Sequence, residues 1–471
     1  MSRIRMGLPV TLFILLLLVG AERVRADDGR FAMPGVIAPN VHFWINVFAG
    51  YGTNQGILHD SEDLGRIYGV IDLIAYDQPD PARENRERIR AALAHYRAVL
   101  ERLARHPDCA RAESRRLAAL FAPEVDPRQY AAAAARLRCQ IGQRDRFEAG
   151  LIRSGAYMAQ IREILRSHGV PEDLAYLPHV ESAFDPEARS HVGALGMWQF
   201  MPATGRRFMT VGYAVDERRD PITATYAAAA LLRENYAQLG SWPLAITAYN
   251  HGTNGMLRAK AQHGDDFEAI YRNYRAPSFG FASRNFYAEF LAARQVAANY
   301  RLHFGDLDFD RPEAVRTLIL EGYADFDDLS RFFGVAPETL RRMNRSLGPP
   351  ILSGRQRIPK GFTLRLPLQA QDAITAAVPE PLLHAAQVPS RYYTVRPGDT
   401  AYRIARRHDV PVADLIAING LDRNATIRPR QVLRIPGRGE QVQAAMVPAV
   451  LGVAEEGAAD TVCDGTHPEP I

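Results

Sequence analysis

The sequence predicts a mainly α-helical protein that ends in small α+β modules of βααβ order. Three observations carry that expectation. Stretches rich in Ala, Leu, Arg and Glu recur from Arg83 to Arg105 and from Tyr130 to Arg138, and these are good helix formers. Residues 146–305 show no strand alternation and carry repeated helix start and stop signals. Near the C-terminal end, short strand-like segments flank two helical patterns. At 471 residues the chain is too long for one ordinary core, so several domains are expected.

The N-terminal end comes first. Arg3 and Arg5 precede an apolar run from Leu8 to Val19. The run falls short of the roughly 20 apolar residues a bilayer span needs. It fits the apolar core of a secretory leader, so residues 1–26 are expected to be an export signal, with Val24-Arg25-Ala26 and Val19-Gly20-Ala21 both offering small residues for cleavage. An uncleaved anchor is the alternative. No cysteine follows the run, so no lipid-modified cysteine is expected there. Export implies an oxidising compartment, in which Cys109 and Cys139 are candidates for a disulfide, with Cys463 left over.

Residues 27–145 read as a helical region. His59-Asp60-Ser61-Glu62-Asp63 has the look of a helix start, with a Ser cap and acids in the first turn. A hard-cation site there is the weaker reading, because such sites need more organised oxygen ligands. The three cysteines lack paired spacing and no HExxH motif occurs, so no metal or cofactor is expected.

In 146–305, one helix is expected from Phe147 to a stop at Gly169. Asp220-Pro221 marks another start, with Asp as cap and Pro in the first turn, and that helix should stop near Gly240. A further start is expected at Ser283. Residues 391–436 then read strand, turn, helix, helix, strand, with Gly398-Asp399-Thr400 at the turn and Val432-Leu433-Arg434-Ile435 closing. Residues 315–367 repeat the pattern without that turn. Between them, 369–390 is Ala- and Pro-rich and reads as a linker, and 437–471 reads as a disordered tail.

Charge narrows the function. Lys+Arg is 57 and Asp+Glu is 53, a net +4 that does not suggest a dedicated nucleic-acid binder. Only Lys260 and Lys360 are lysines, and the arginines are scattered rather than clustered.

The chemistry is expected around Glu181, a lone carboxylate in the apolar run Leu174–Phe184. At helical spacing it shares a stripe with Leu174 and Leu177, although Pro178 threatens a kink. Burial on that stripe would raise its pKa and suit it to general acid work. The plainer reading is a Glu paired with an arginine or capping a neighbouring helix. Gly193 and Gly196 stand beside Trp198 and Gln199, a setting in which backbone can approach a ligand, Trp198 can cover a sugar face and Gln199 can bind an acetamide. Trp198 as plain core is the alternative. Tyr249 and Asn250 follow as polar groups at a helix end.

Glu181-Ser182-Ala183-Phe184, Gly196-Met197-Trp198-Gln199 and Ala248-Tyr249-Asn250 occur in an order and spacing that resemble the lytic transglycosylase domain, a lysozyme-like helical fold. Residues 391–436 resemble a lysin motif, a module that binds N-acetylglucosamine-containing glycans, and 315–367 a degenerate copy. The resemblance implies Glu181 as the catalytic residue and Ser182, Met197, Trp198, Gln199, Tyr249 and Asn250 as substrate-binding residues. It implies peptidoglycan as partner, no nucleic acid, and the periplasm or cell envelope as location. The implied reaction cleaves the bond between N-acetylmuramic acid and N-acetylglucosamine and closes a 1,6-anhydro ring without water. A hydrolytic muramidase and a non-catalytic wall-binding scaffold are the alternatives. Two features depart from the family: the missing lipid-anchor cysteine, and Phe286 in Ser283-Arg284-Asn285-Phe286-Tyr287, where members often carry tyrosine. Tyr287 or Tyr249 is the candidate to supply that hydroxyl.

Overall fold

The computed structural model describes residues 29–75, 81–368, 378–388, 391–422 and 424–436. The expected leader, the expected tail and Cys463 lie outside the described residues.

The N-terminal region is not purely helical. Its centre is an antiparallel three-stranded sheet, in which Gln55–Asp60 pairs with Ile67–Asp72 on one side and Leu137–Ile141 on the other. The middle strand escaped the sequence reading because both its faces are buried, so it shows no polar alternation. Adjacent residues serve two cores. Ile57 packs into the large core of the helical domain, and Leu58 packs with Leu100, Leu103 and Tyr130 beneath the helix Pro81–Arg105. The helix expected to run to Arg138 stops at Ala135, and the chain enters the third strand. Cys109 and Cys139 form no disulfide; Cys139 is buried opposite Leu58.

His59-Asp60 is likewise not a helix start. The His59 ring packs 4.6 Å from that of Phe43, and burial lowers its pKa to about 4. Asp60, buried at the strand end, accepts hydrogen bonds from Arg136 at 2.9 and 2.8 Å, from Arg66 at 3.2 Å and from the Glu62 N–H at 2.9 Å. Burial pushes its pKa up, but these donors and their positive charge outweigh burial and hold it below the ordinary aspartate value.

The helical domain is built around Phe281–Ala298, in which 12 of 18 residues are buried, so it is apolar nearly all round. It begins two residues before the expected Ser283, after Gly280. Pro221–Leu239 and Trp242–His251 pack beside it in the same core. Asp220 caps the first of these by accepting from the N–H groups of Ile222 and Thr223, and Gly240 closes it in the left-handed conformation, as its sequence implies. The single helix expected from Phe147 to Gly169 is two, Arg144–Ser154 and Met158–Ser167. The break falls at Gly155, where a Cβ would lie 2.4 Å from the Asp310 carbonyl oxygen.

Two βααβ modules follow. In the first, Val315–Ile319 pairs antiparallel with Thr363–Pro367 around the helices Phe326–Phe332 and Pro337–Met343, with a short third helix, Pro349–Leu352, added before the closing strand. In the second, Arg391–Thr394 pairs with Val432–Ile435 around Ala401–Arg407 and Val412–Asn419. One asparagine does the same work in each. Asn344 exchanges two 2.8 Å hydrogen bonds with the Arg365 backbone, and Asn419 does so with Arg434 at 2.8 and 2.7 Å. The first module is docked on the helical domain: Val215 enters its core, and the Arg365 guanidinium binds the Asp220 carboxylate. The second half of the expected linker is structured, since Val378 is buried in that core and His384 exchanges backbone hydrogen bonds with Tyr323.

Candidate active site

Glu181 is the last residue of a short helix, Leu177–Glu181, which follows a 3-10 turn over Glu172–Tyr176. Pro178 sits in the first turn of that helix, where its missing N–H costs nothing, so it starts the helix rather than kinking it. Leu174 and Leu177 are buried below, and Glu181 is 7% exposed. Its carboxyl has no hydrogen bond or ion pair with any described residue, and burial raises its pKa well above the ordinary glutamate range.

The chain then turns sharply. Ala183 and Phe184 both have positive φ, 49° and 58°, a costly conformation for residues with side chains. The surroundings hold it. Arg153 donates twice to the Ala183 carbonyl oxygen, at 3.1 and 2.7 Å, and Phe184 is fully buried. Gly150 leaves the space, since a Cβ there would stand 2.8 Å from the same oxygen.

Met197, Trp198 and Gln199 form the facing loop. Ser182 Oγ donates to the Met197 carbonyl at 2.8 Å, and Tyr249 Oη donates to the Trp198 carbonyl at 2.9 Å. Gly196, at φ 82°, would place a Cβ 1.8 Å from the Arg218 carbonyl oxygen, so it serves backbone packing rather than ligand approach. The Tyr249 ring lies parallel to that of Phe286 at 6.5 Å, and burial, then the charge of Glu181, raises the pKa of its hydroxyl.

The fold therefore brings Glu181, Ser182, Met197, Trp198, Gln199 and Tyr249 together, but it corrects several expected roles. Trp198 is fully buried and its indole N–H donates to Thr225 Oγ1 at 2.8 Å, so it is core and offers no face to a sugar. The Met197 side chain is also fully buried. The Gln199 amide nitrogen is spent on the carbonyls of Ala188 and Gly196, at 3.1 and 2.8 Å, which leaves its oxygen for a ligand. Asn250 Oδ1 accepts from Ser283 Oγ at 2.7 Å, which leaves its amide nitrogen. Tyr287 Oη donates to the Ala32 carbonyl at 2.8 Å, so Tyr249 is the hydroxyl beside Glu181.

The sequence reading missed Glu289. It is fully buried on the Phe281–Ala298 helix, one turn after Phe286, and neither carboxyl oxygen has a partner. Burial, then the nearby charge of Glu181, raises its pKa well above the ordinary range, with Arg138 opposing. The signal was present, because Phe286–Ala293 is an apolar run with a single carboxylate, the same pattern that marked Glu181. His179 was missed too. Stacked 4.8 Å from Phe147, with neither ring nitrogen partnered, it has a pKa lowered to about 3 by burial and by Arg153.

A buried, unpaired acid at a helix end, facing a pinned loop, has the chemistry of a general acid. Residues 159–271 match the family described as the transglycosylase SLT domain, and 393–436 match the LysM domain. It is similar to membrane-bound lytic murein transglycosylase D of Escherichia coli strain K12, with 31% identity over 304 residues. That match covers 62% of this chain and 66%, just under two thirds, of the relative. Membrane-bound lytic murein transglycosylase C of Glaesserella parasuis serovar 5 is 27% identical over 174 residues, 32% of this chain and 48% of the relative. The solved lytic transglycosylase Slt of Pseudomonas aeruginosa matches 33% of this chain and 26% of its own, at 22% identity and a TM-score of 0.26.

Proposed function

We infer that the protein is an exported peptidoglycan lytic transglycosylase that works with one acid, Glu181. The observation that carries this reading is the state of the carboxylates around the site. A glycosidase that uses two carboxylates needs a second one free to activate water or attack the sugar. Asp185 accepts from the Glu187 N–H at 2.8 Å in a turn. Asp216 is held by Arg218 at 2.9 and 2.7 Å, and Glu217 accepts from the Thr210 N–H at 2.6 Å. Glu289 is sealed from substrate. Of these five carboxylates, Glu181 is the one that is both unpaired among the described residues and slightly open.

In this reading neutral Glu181 protonates the glycosidic oxygen between N-acetylmuramic acid and N-acetylglucosamine, and the bond to the muramoyl C1 breaks. The carboxylate then takes the proton of the muramoyl 6-hydroxyl as its oxygen bonds to C1, so the acid is restored and no water is consumed. The Asn250 amide nitrogen and the Gln199 amide oxygen, both left without a partner among the described residues, hold in this reading the acetamide that steadies the positive C1. The LysM module tethers the enzyme to glycan. The Arg-flanked apolar run at residues 1–26 supports export to the envelope, as do the names of the membrane-bound relatives.

Digestion of purified sacculi tests this reading. The released fragments should end in anhydromuramoyl groups, lighter by one water than hydrolysed ends. Reducing muramic acid ends as the main product would make the protein a hydrolase, and no release at all would favour a binding scaffold. Deleting 391–436 should weaken retention on insoluble peptidoglycan.

A further inference from the structure

Beside the active-site loop lies a cleft of about 1640 Å³. Its walls are the 189–219 segment of the helical domain and the 338–355 segment of the first βααβ module, with the end of the Val412–Asn419 helix as a third side. The first two walls are fixed to each other. The Asp216 N–H donates to the Ser346 carbonyl, the Gly348 N–H donates to the Ala214 carbonyl, and Val215 lies in the module core.

The lining is basic and its acids are spent. Asp216 is bound by Arg218, and Glu338 by Arg341 at 3.3 and 3.1 Å. Arg189, Arg206 and Arg219 line the same space, and their guanidinium groups bind no described carboxylate or carbonyl. Arg219 Nε is buried with no acceptor. A buried donor left unpaired costs free energy, and gathering like charges adds to it. Arg189 records that crowding: burial, then the charges of Arg219 and Arg218, lower its pKa.

We propose that this cleft is a substrate subsite for the carboxylates of the short acidic peptides carried by muramoyl residues. The proposal rests on the peptidoglycan reading above and assigns one further part of that substrate. Planar guanidinium groups suit carboxylates, which they can grip with two parallel hydrogen bonds. The volume exceeds the roughly 300–1,000 Å³ of small-molecule pockets and suits an extended peptide. The site adjoins the reacting centre through one loop. Arg189 is in the segment that follows Glu181, whose Ala188 carbonyl accepts from Gln199, and Arg218 ties the cleft wall to the carbonyls of Gly193 and Phe200 at 2.9 Å each.

The experiment compares two substrates on the full-length protein: glycan strands with their peptides, and the same strands stripped by an amidase. The variant is Arg189→Gln/Arg206→Gln, two exposed positions whose loss spares the packing. On peptide-bearing strands its KM should rise by about tenfold, the scale of one charge-assisted hydrogen bond, with kcat little changed. On stripped strands it should match the parent. Equal KM on both substrates, or an equal loss on both, overturns the proposal. Failure of the parent protein on both substrates overturns the transglycosylase reading instead. A second measurement needs no variant: the free acidic peptide should bind the parent protein and be released by salt, whereas a fully amidated peptide should not bind. Binding of both peptides alike would count equally against the proposal.

Discussion

Asp60 and Glu181 are both buried carboxyls, and the protein treats them in opposite ways. Asp60 lies among two arginines and a backbone N–H, and its pKa is held down. Glu181 has no cation and no donor among the described residues, and its pKa is pushed up. Burial raises both, so the partners decide the charge. The first arrangement fixes an anion where the third strand meets the sheet. The second keeps an acid in its neutral form, at the cost of placing an unpaired polar group against the core. Between these two carboxyls, the surroundings rather than the depth decide the charge.

The largest effect that follows is on activity. Glu181→Gln keeps the size and polarity of the side chain and cannot give up a proton. Release of anhydromuramoyl fragments should fall by at least about 100-fold while circular dichroism is unchanged. Near-parental activity in the folded variant would remove Glu181 from the chemistry.

Asp60→Asn should do the reverse, leaving specific activity intact and lowering stability. Arg136 and Arg66 would lose their anion, and breaking a buried pair costs about 3–5 kcal/mol, nearer 3 here because both arginines keep some solvent. Denaturant melts at neutral pH check this, and a loss below about 1 kcal/mol would make the hub ornamental.

The two sites should also respond to pH with opposite signs. The folded state lowers the pKa of Asp60, so its contribution is present above the unfolded value of about 3.9 and is lost as pH falls through the folded value. The folded state raises that of Glu181, so a penalty appears above the unfolded value of about 4.3 and grows until pH reaches the folded value. Glu181→Gln should therefore gain stability relative to the parent as pH rises above about 4.3, and Asp60→Asn should converge on the parent as pH falls below about 4. Parallel slopes for the two variants would break the comparison.

A smaller effect separates core from site at Trp198. Trp198→Phe removes the bond to Thr225 and some buried volume, for about 1–3 kcal/mol. The KM for peptidoglycan should not move. A raised KM without lost stability would restore the sugar-facing role that the sequence suggested.

Much of this was legible beforehand because it is local. Asp220-Pro221 and Gly240 bound their helix as their chemistry requires, and a lone carboxylate in an apolar run marked Glu181. The strand Gln55–Asp60 was hidden by burial on both faces, which erases alternation. The His59–Asp63 stretch looked like a helix start with a Ser cap because the partners of Asp60, Arg66 and Arg136, are 6 and 76 residues away. Trp198 kept two readings because spacing does not say which way an indole points. The arginine cleft was invisible in a chain whose arginines are scattered, since the segments that line it meet only after the first module docks. Glu289 was legible and passed over.

The central claim is that Glu181 holds its proton well above the ordinary glutamate range because no described group nearby stabilises its charge. Carbon NMR of side-chain carboxyls in glutamate-labelled protein, with Glu181→Gln to assign the resonance, measures this most directly. The account predicts that the Glu181 signal titrates well above the ordinary glutamate value of about 4.3. A midpoint at or below about 4.3 would contradict it and would show that Glu181 works, if it works, as an anion.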